Sequence, residues 1–107
     1  GKLRMLGVTS KTRSLRMPEV HTLAETGVAG FESSLWYAIV GPRGVPREAV
    51  LRLNASIRDA LAAADVREKF LGNDIKAQSS SPEELAAYIG SEMAKWRTVI
   101  QKANISL

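Results

Sequence analysis

The sequence contains no cysteine, so a disulfide framework, a thiolate metal site and a cysteine nucleophile are all excluded. It contains a single histidine, His21, which leaves an imidazole-rich metal site without a second ligand of the same kind. Aromatic residues make up only 6% of the chain. No apolar run approaches the eighteen or more residues that a membrane-spanning helix requires, and no basic, apolar, small-residue leader opens the sequence. Internal repeats are lacking, and the serine triplet 79–81 is the one low-complexity tract.

What is present is ordinary globular material, 45% hydrophobic and 24% charged, in 107 residues that allow one modest core. The formal net charge of +4 is unevenly placed. Lys2, Arg4, Lys11, Arg13 and Arg16 all precede the first acid, Glu19, and from Glu19 onward ten basic residues face eleven acidic ones. This cluster has no interleaved aromatics and no recognition helix, so it reads as a solvated face and not as a nucleic-acid surface.

The most structured signal lies at residues 28–46. Leu35-Trp-Tyr-Ala-Ile-Val40 is a continuous apolar and aromatic run stopped by Gly41-Pro-Arg-Gly44. Such a run predicts a strand covered on both faces. A second strand is expected over 3–8 and a short edge strand over 74–78, while residues 22–26 suit a short helix ended by Gly27. Pro46 opens an amphipathic helix whose stripe is Val50, Leu53, Ile57 and Leu61, and which is expected to pack on the sheet. Asp65 and Glu68 have capping-box spacing ahead of a short helix over 66–71 that Gly72-Asn73 would close. Ser81-Pro-Glu-Glu84 is a complete helix start, followed by Leu85, Ile89, Met93, Trp96 and Ile100 as the buried stripe of a long helix and by a fraying tail from Ala103 to Leu107. Strand, turn and helix in this order indicate an α/β chain with short strands and flanking helices.

Several residues invite chemistry and each has a plainer reading. His21 follows a turn and suits a surface role better than catalysis. Glu83 and Glu84 point about 100° apart on a helix, so they are helix-start charges and not an acid/base pair. The Val40–Pro46 junction has the strand-to-helix geometry that cradles anions, yet Pro42 and Pro46 remove two amides and no phosphate-loop motif is present. Trp36 and Tyr37 are neighbours on the predicted strand, so one ring faces each side. Core packing competes with a cleft-lining role for them, with Phe31, Ser33 and Ser34 at the strand's approach.

Taken together, Gly1-Lys-Leu-Arg-Met-Leu-Gly-Val-Thr-Ser10, Pro18-Glu-Val-His-Thr-Leu-Ala-Glu-Thr-Gly27, Gly30-Phe-Glu-Ser-Ser-Leu-Trp-Tyr-Ala-Ile-Val-Gly-Pro-Arg-Gly-Val-Pro46 and the Leu53-Asn54 helix resemble the last part of the Bug/TctC solute-binding proteins. The final helix, with Trp96 and the ending Ala103-Asn-Ile105, continues the likeness over nearly the whole chain. Members of that family are extracytoplasmic receptors of tripartite tricarboxylate transport systems. The chain departs from the family pattern at Gly41 and Arg43 in the turn, at His21, and in a short Gly72-Asn-Asp74 link.

The resemblance implies the C-terminal portion of a two-lobe periplasmic-binding-protein fold, type II-like. Residues 1–27 would end one lobe, 28–40 would form the crossover strand, and 41–107 would supply the closing helices and short strand of the other lobe. It also implies a periplasmic location, no cofactor, no metal and no catalytic residue. The partners implied are a small carboxylate or amino-acid ligand, membrane transporter subunits and an N-terminal part of the same chain; nucleic acid is not among them. Ser34, Trp36 and Tyr37 are the candidate ligand residues, and open sheet edges are expected to favour dimerisation of the piece. The alternatives are a small α/β enzyme with an anion site at Val40–Pro46 and His21 as base, or an interaction domain.

Overall fold

The computed structural model describes residues 3–105; the expectations for Gly1, Lys2, Ser106 and Leu107 lie outside that range. Among the described residues three helices follow one another: α1 (Arg47–Ala62), α2 (Ala64–Gly72) and α3 (Pro82–Lys102). The chain divides into two compact units, one of residues up to 41 together with 63–77, the other of residues 42–62 and 78 onward.

In the first unit, residues 8–9 bond to two other segments of the chain. Val8 N–H donates to the His21 carbonyl (3.0 Å), Leu23 N–H donates to the Val8 carbonyl (2.9 Å), and Ser33 N–H donates to the Thr9 carbonyl (2.9 Å). The Val8–Thr22 bridge is parallel. Gly7 permits this approach, since a Cβ there would meet Leu23 Cδ2 at 3.1 Å. The pairing stops at Thr9 because the chain bends at once: Ser10 Oγ donates to the Thr12 carbonyl (2.7 Å). The strand expected over 3–8 is thereby reduced to a single bridge, and those expected over 35–40 and 74–78 are not formed among the described residues. A strand exists only when it has a ladder partner, and no described segment runs alongside 35–40 far enough to be one.

Residues 22–26 make a capped turn in place of the expected short helix. Thr22 N–H donates to Glu25 Oε2 (2.7 Å) and Glu25 N–H donates to Thr22 Oγ1 (3.2 Å), the reciprocal bonds of a capping box. Val28 N–H reaches back to the Leu23 carbonyl (3.1 Å), with Gly27 at φ 117° in the conformation that favours glycine. Arg13 lays its guanidinium on the Glu25 carboxylate (3.0 Å) and also donates to the Pro18 carbonyl (3.1 Å), which ties the basic loop to this turn.

The same loop holds the end of α2. Ser14 Oγ donates to the Asp74 carboxylate (2.9 Å), and Arg16 Nη1 donates to the Gly72 carbonyl (2.7 Å). Asp74 has φ 56°, and Ile75 N–H and Asp74 N–H bond the carbonyls of Phe70 and Leu71, both at 2.9 Å. This is a Schellman closure with Asp74 at the left-handed position, one residue beyond the Gly72-Asn73 stop expected from the sequence. The amino end of α2 also differs. Ala63 precedes it without a side-chain cap, because Asp65 lies inside the first turn, where it meets the helix dipole.

In the second unit α1 and α3 pack against each other, and Asn54 Nδ2 on α1 donates to the Ser80 carbonyl ahead of α3 (2.8 Å). Arg47 and Glu83 pair across the two helix starts (3.3 Å). The helix start at 81–84 forms as expected: Ser81 Oγ accepts from Glu84 N–H (3.1 Å), and Glu84 Oε2 accepts from Ser81 N–H (2.7 Å). At the other end Asn104, φ 51°, closes α3 with bonds from Asn104 N–H to Gln101 and from Ile105 N–H to Ile100, so the tail is capped through residue 105.

Among the described residues no hydrophobic side chain is buried; Thr22 and Glu92 alone are. Val50, Ile57 and Leu61 of α1 and Leu85, Ile89 and Ile100 of α3 are half-buried, whereas Leu53, Met93 and Trp96 are exposed. The expected core is therefore corrected to two half-covered stripes. The chain of 11.6 kDa leaves 9238 Å² accessible. Even two separate compact bodies of half that mass would together expose only about 7,000 Å².

Candidate functional site

The candidate site is the segment after Ser33, where the sequence concentrates aromatic and hydroxyl groups and the structure leaves them open. Once Ser33 has bonded Thr9, residues 34–40 run on outside any helix or strand. Leu35, Tyr37, Ile39 and Val40 are 83, 74, 72 and 73% exposed, and Trp36 37%. In place of the covered strand expected here, the segment is uncovered and forms no strand. The strand alternation expected from the sequence would put Ser34 and Trp36 on one side and Leu35 and Tyr37 on the other. A single small ligand would meet one side or the other first.

The other sequence candidates lie apart from this chemistry. The side chain of His21 is exposed, and its residue serves the fold through the carbonyl that accepts from Val8. At the turn before α1, Gly44 takes φ 90°, Arg43 is exposed, and Glu48 occupies the first helical turn. A carboxylate there repels any anion and competes with it for the helix start. Among the described residues no group of three His, Asp or Glu side chains could hold a metal ion. No described helix is long and apolar enough to cross a membrane.

Electrostatics single out two carboxylates, both structural. The Arg13 guanidinium, and then the Thr22 N–H, hold the Glu25 carboxyl down at about 2. The Ser81 backbone and hydroxyl lower that of Glu84. On α3 the buried Glu92 accepts from Trp96 Nε1 (3.0 Å) and pairs with Lys95, whose ammonium lies 5.3 Å from the Trp96 ring centroid. Sequence reasoning missed Thr22-x-x-Glu25, although its capping-box spacing is a local signal of the same kind as Ser81-x-x-Glu84. It also missed Arg13 as the partner of Glu25, which twelve residues of separation conceal.

Comparison with known proteins agrees along the whole chain. Residues 1–105 match the family described as tripartite tricarboxylate transporter family receptor. A protein from the tcbD-tcbE intergenic region of Pseudomonas sp. strain P51 is 44% identical over 100 residues, covering 92% of this chain and 30% of that protein. BugT of Bordetella pertussis is 31% identical over all 107 residues and 33% of its own length. Among solved structures, R. palustris Rpa4515 with adipate superposes with a TM-score of 0.81 at 30% identity, over 94% of this chain and 34% of that one. The chain thus spans about a third of the length of the relatives it matches. With the match extending from residue 1 to residue 105, the chain belongs to the TctC family, the tripartite tricarboxylate transporter family receptors.

Proposed function

We propose that this chain is part of a periplasmic receptor that captures a small carboxylate and delivers it to a tripartite membrane transporter, without chemical conversion of the ligand. The observation that carries this reading is the family match over residues 1–105, supported by the 0.81 TM-score to a relative described with adipate. Within that reading the fold is a two-lobe, type II-like α/β receptor. Residues 1–27 end one lobe, 28–40 cross between lobes, and the helices of 41–107 serve in closing, with 63–77 tethered to the first part of the chain through Ser14 and Arg16. The exposed apolar run 35–40 is then surface intended for further polypeptide of the same receptor.

Ser34, Trp36 and Tyr37 are the proposed ligand residues. A hydroxyl and an aromatic ring two residues apart suit a carboxylate and its methylene chain, and Tyr37 carries a hydroxyl and a ring in one side chain. Closure would be stabilised only to the extent that the ligand binds the closed state more tightly. The positive balance would steer anions toward the receptor without selecting among them.

The test is calorimetric titration of a receptor of the relatives' length carrying this chain, against mono-, di- and tricarboxylates and acidic amino acids. Saturable binding of a carboxylate is expected, weakened about tenfold or more, about 1.4 kcal/mol, in Trp36→Ala. Binding to none of them would overturn the proposal. Full affinity in Trp36→Ala and Ser34→Ala with loss in Tyr37→Ala would move the site to the other side of the segment.

A further inference from the structure

We draw no further inference here: the strongest candidate, the open groove of the first unit where Leu15, Leu71 and Ile75 lie beside Arg67 and Lys76, is an unpartnered apolar face and nothing in the structure shows what covers it.

Discussion

Ile39→Lys should have opposite consequences in this chain alone and in a receptor of the relatives' length. Leu35, Tyr37, Ile39 and Val40 keep roughly three quarters of their surface in water. Full burial of such a side chain contributes about 1.5–3 kcal/mol, so the four together hold about 4–9 kcal/mol of stabilisation that the chain alone does not realise. In the isolated chain Ile39→Lys removes little that is already buried, and a change in stability below about 0.5 kcal/mol is expected. Self-association should fall, because a charge on an exposed extended segment discourages edge pairing. In the longer receptor the same lysine would sit where an apolar side chain is covered, at a cost of at least about 2 kcal/mol. Helical circular dichroism during urea unfolding gives the stabilities, and light scattering gives the association. An isolated chain that loses as much as the receptor would show Ile39 to be buried within these 107 residues. A receptor that tolerates the lysine would show the segment to be uncovered there too. Either result refutes the reasoning.

Other expectations concern the local devices. Glu25 is held well below its ordinary value of 4.5, at about 2, so its contribution to folding is complete above pH 4.5 and is lost as the pH falls toward 2. Carboxyl NMR should place its titration near 2, and Arg13→Ala should return it toward the usual carboxylate range. Ser81→Ala should cost about 1 kcal/mol in urea unfolding by removing the acceptor for Glu84 N–H, with Ser81→Thr close to neutral. Asn104→Gly should raise stability by a few tenths to about 1 kcal/mol by relieving the left-handed backbone, and Asn104→Val should lower it. Asp74→Gly relieves the same kind of strain but loses the Ser14 hydroxyl, so it should stabilise only in a Ser14→Ala background, a double-mutant cycle that unfolding can read.

The helices were legible in the sequence because their signals are local. Ser81-Pro-Glu-Glu84 carries its own hydrogen-bond partners, and the three- and four-residue spacing of Val50, Leu53, Ile57 and Leu61 marks a helix wherever it is placed. The strands were not legible to the same degree. An apolar run such as 35–40 reports that it is meant to be covered, yet whether it forms a ladder depends on another segment lying beside it. The central pairing partner ends at Thr9, so the run continues unladdered. Asp74 and Asn104 escaped notice for a related reason: a left-handed closure is expected at glycine, and an Asp or Asn that takes it shows no distinguishing pattern in sequence. The helical stripes were read correctly only in part, since Leu53, Met93 and Trp96, expected on them, are exposed. Glu92 is buried while Met93 beside it is not, since the carboxylate is satisfied by Trp96 and Lys95. As for the candidate site, Ser34, Trp36 and Tyr37 were legible as a concentration of hydroxyl and aromatic groups. Whether they meet a ligand was not.

Amide hydrogen exchange across residues 34–40, measured both in this chain alone and in a receptor of the relatives' length, bears most directly on the claim that the segment is built to be covered. Rapid exchange in the isolated chain and strong protection in the receptor is the predicted pair of results. Protection of equal strength in both would contradict it, since the chain would then satisfy this segment by itself.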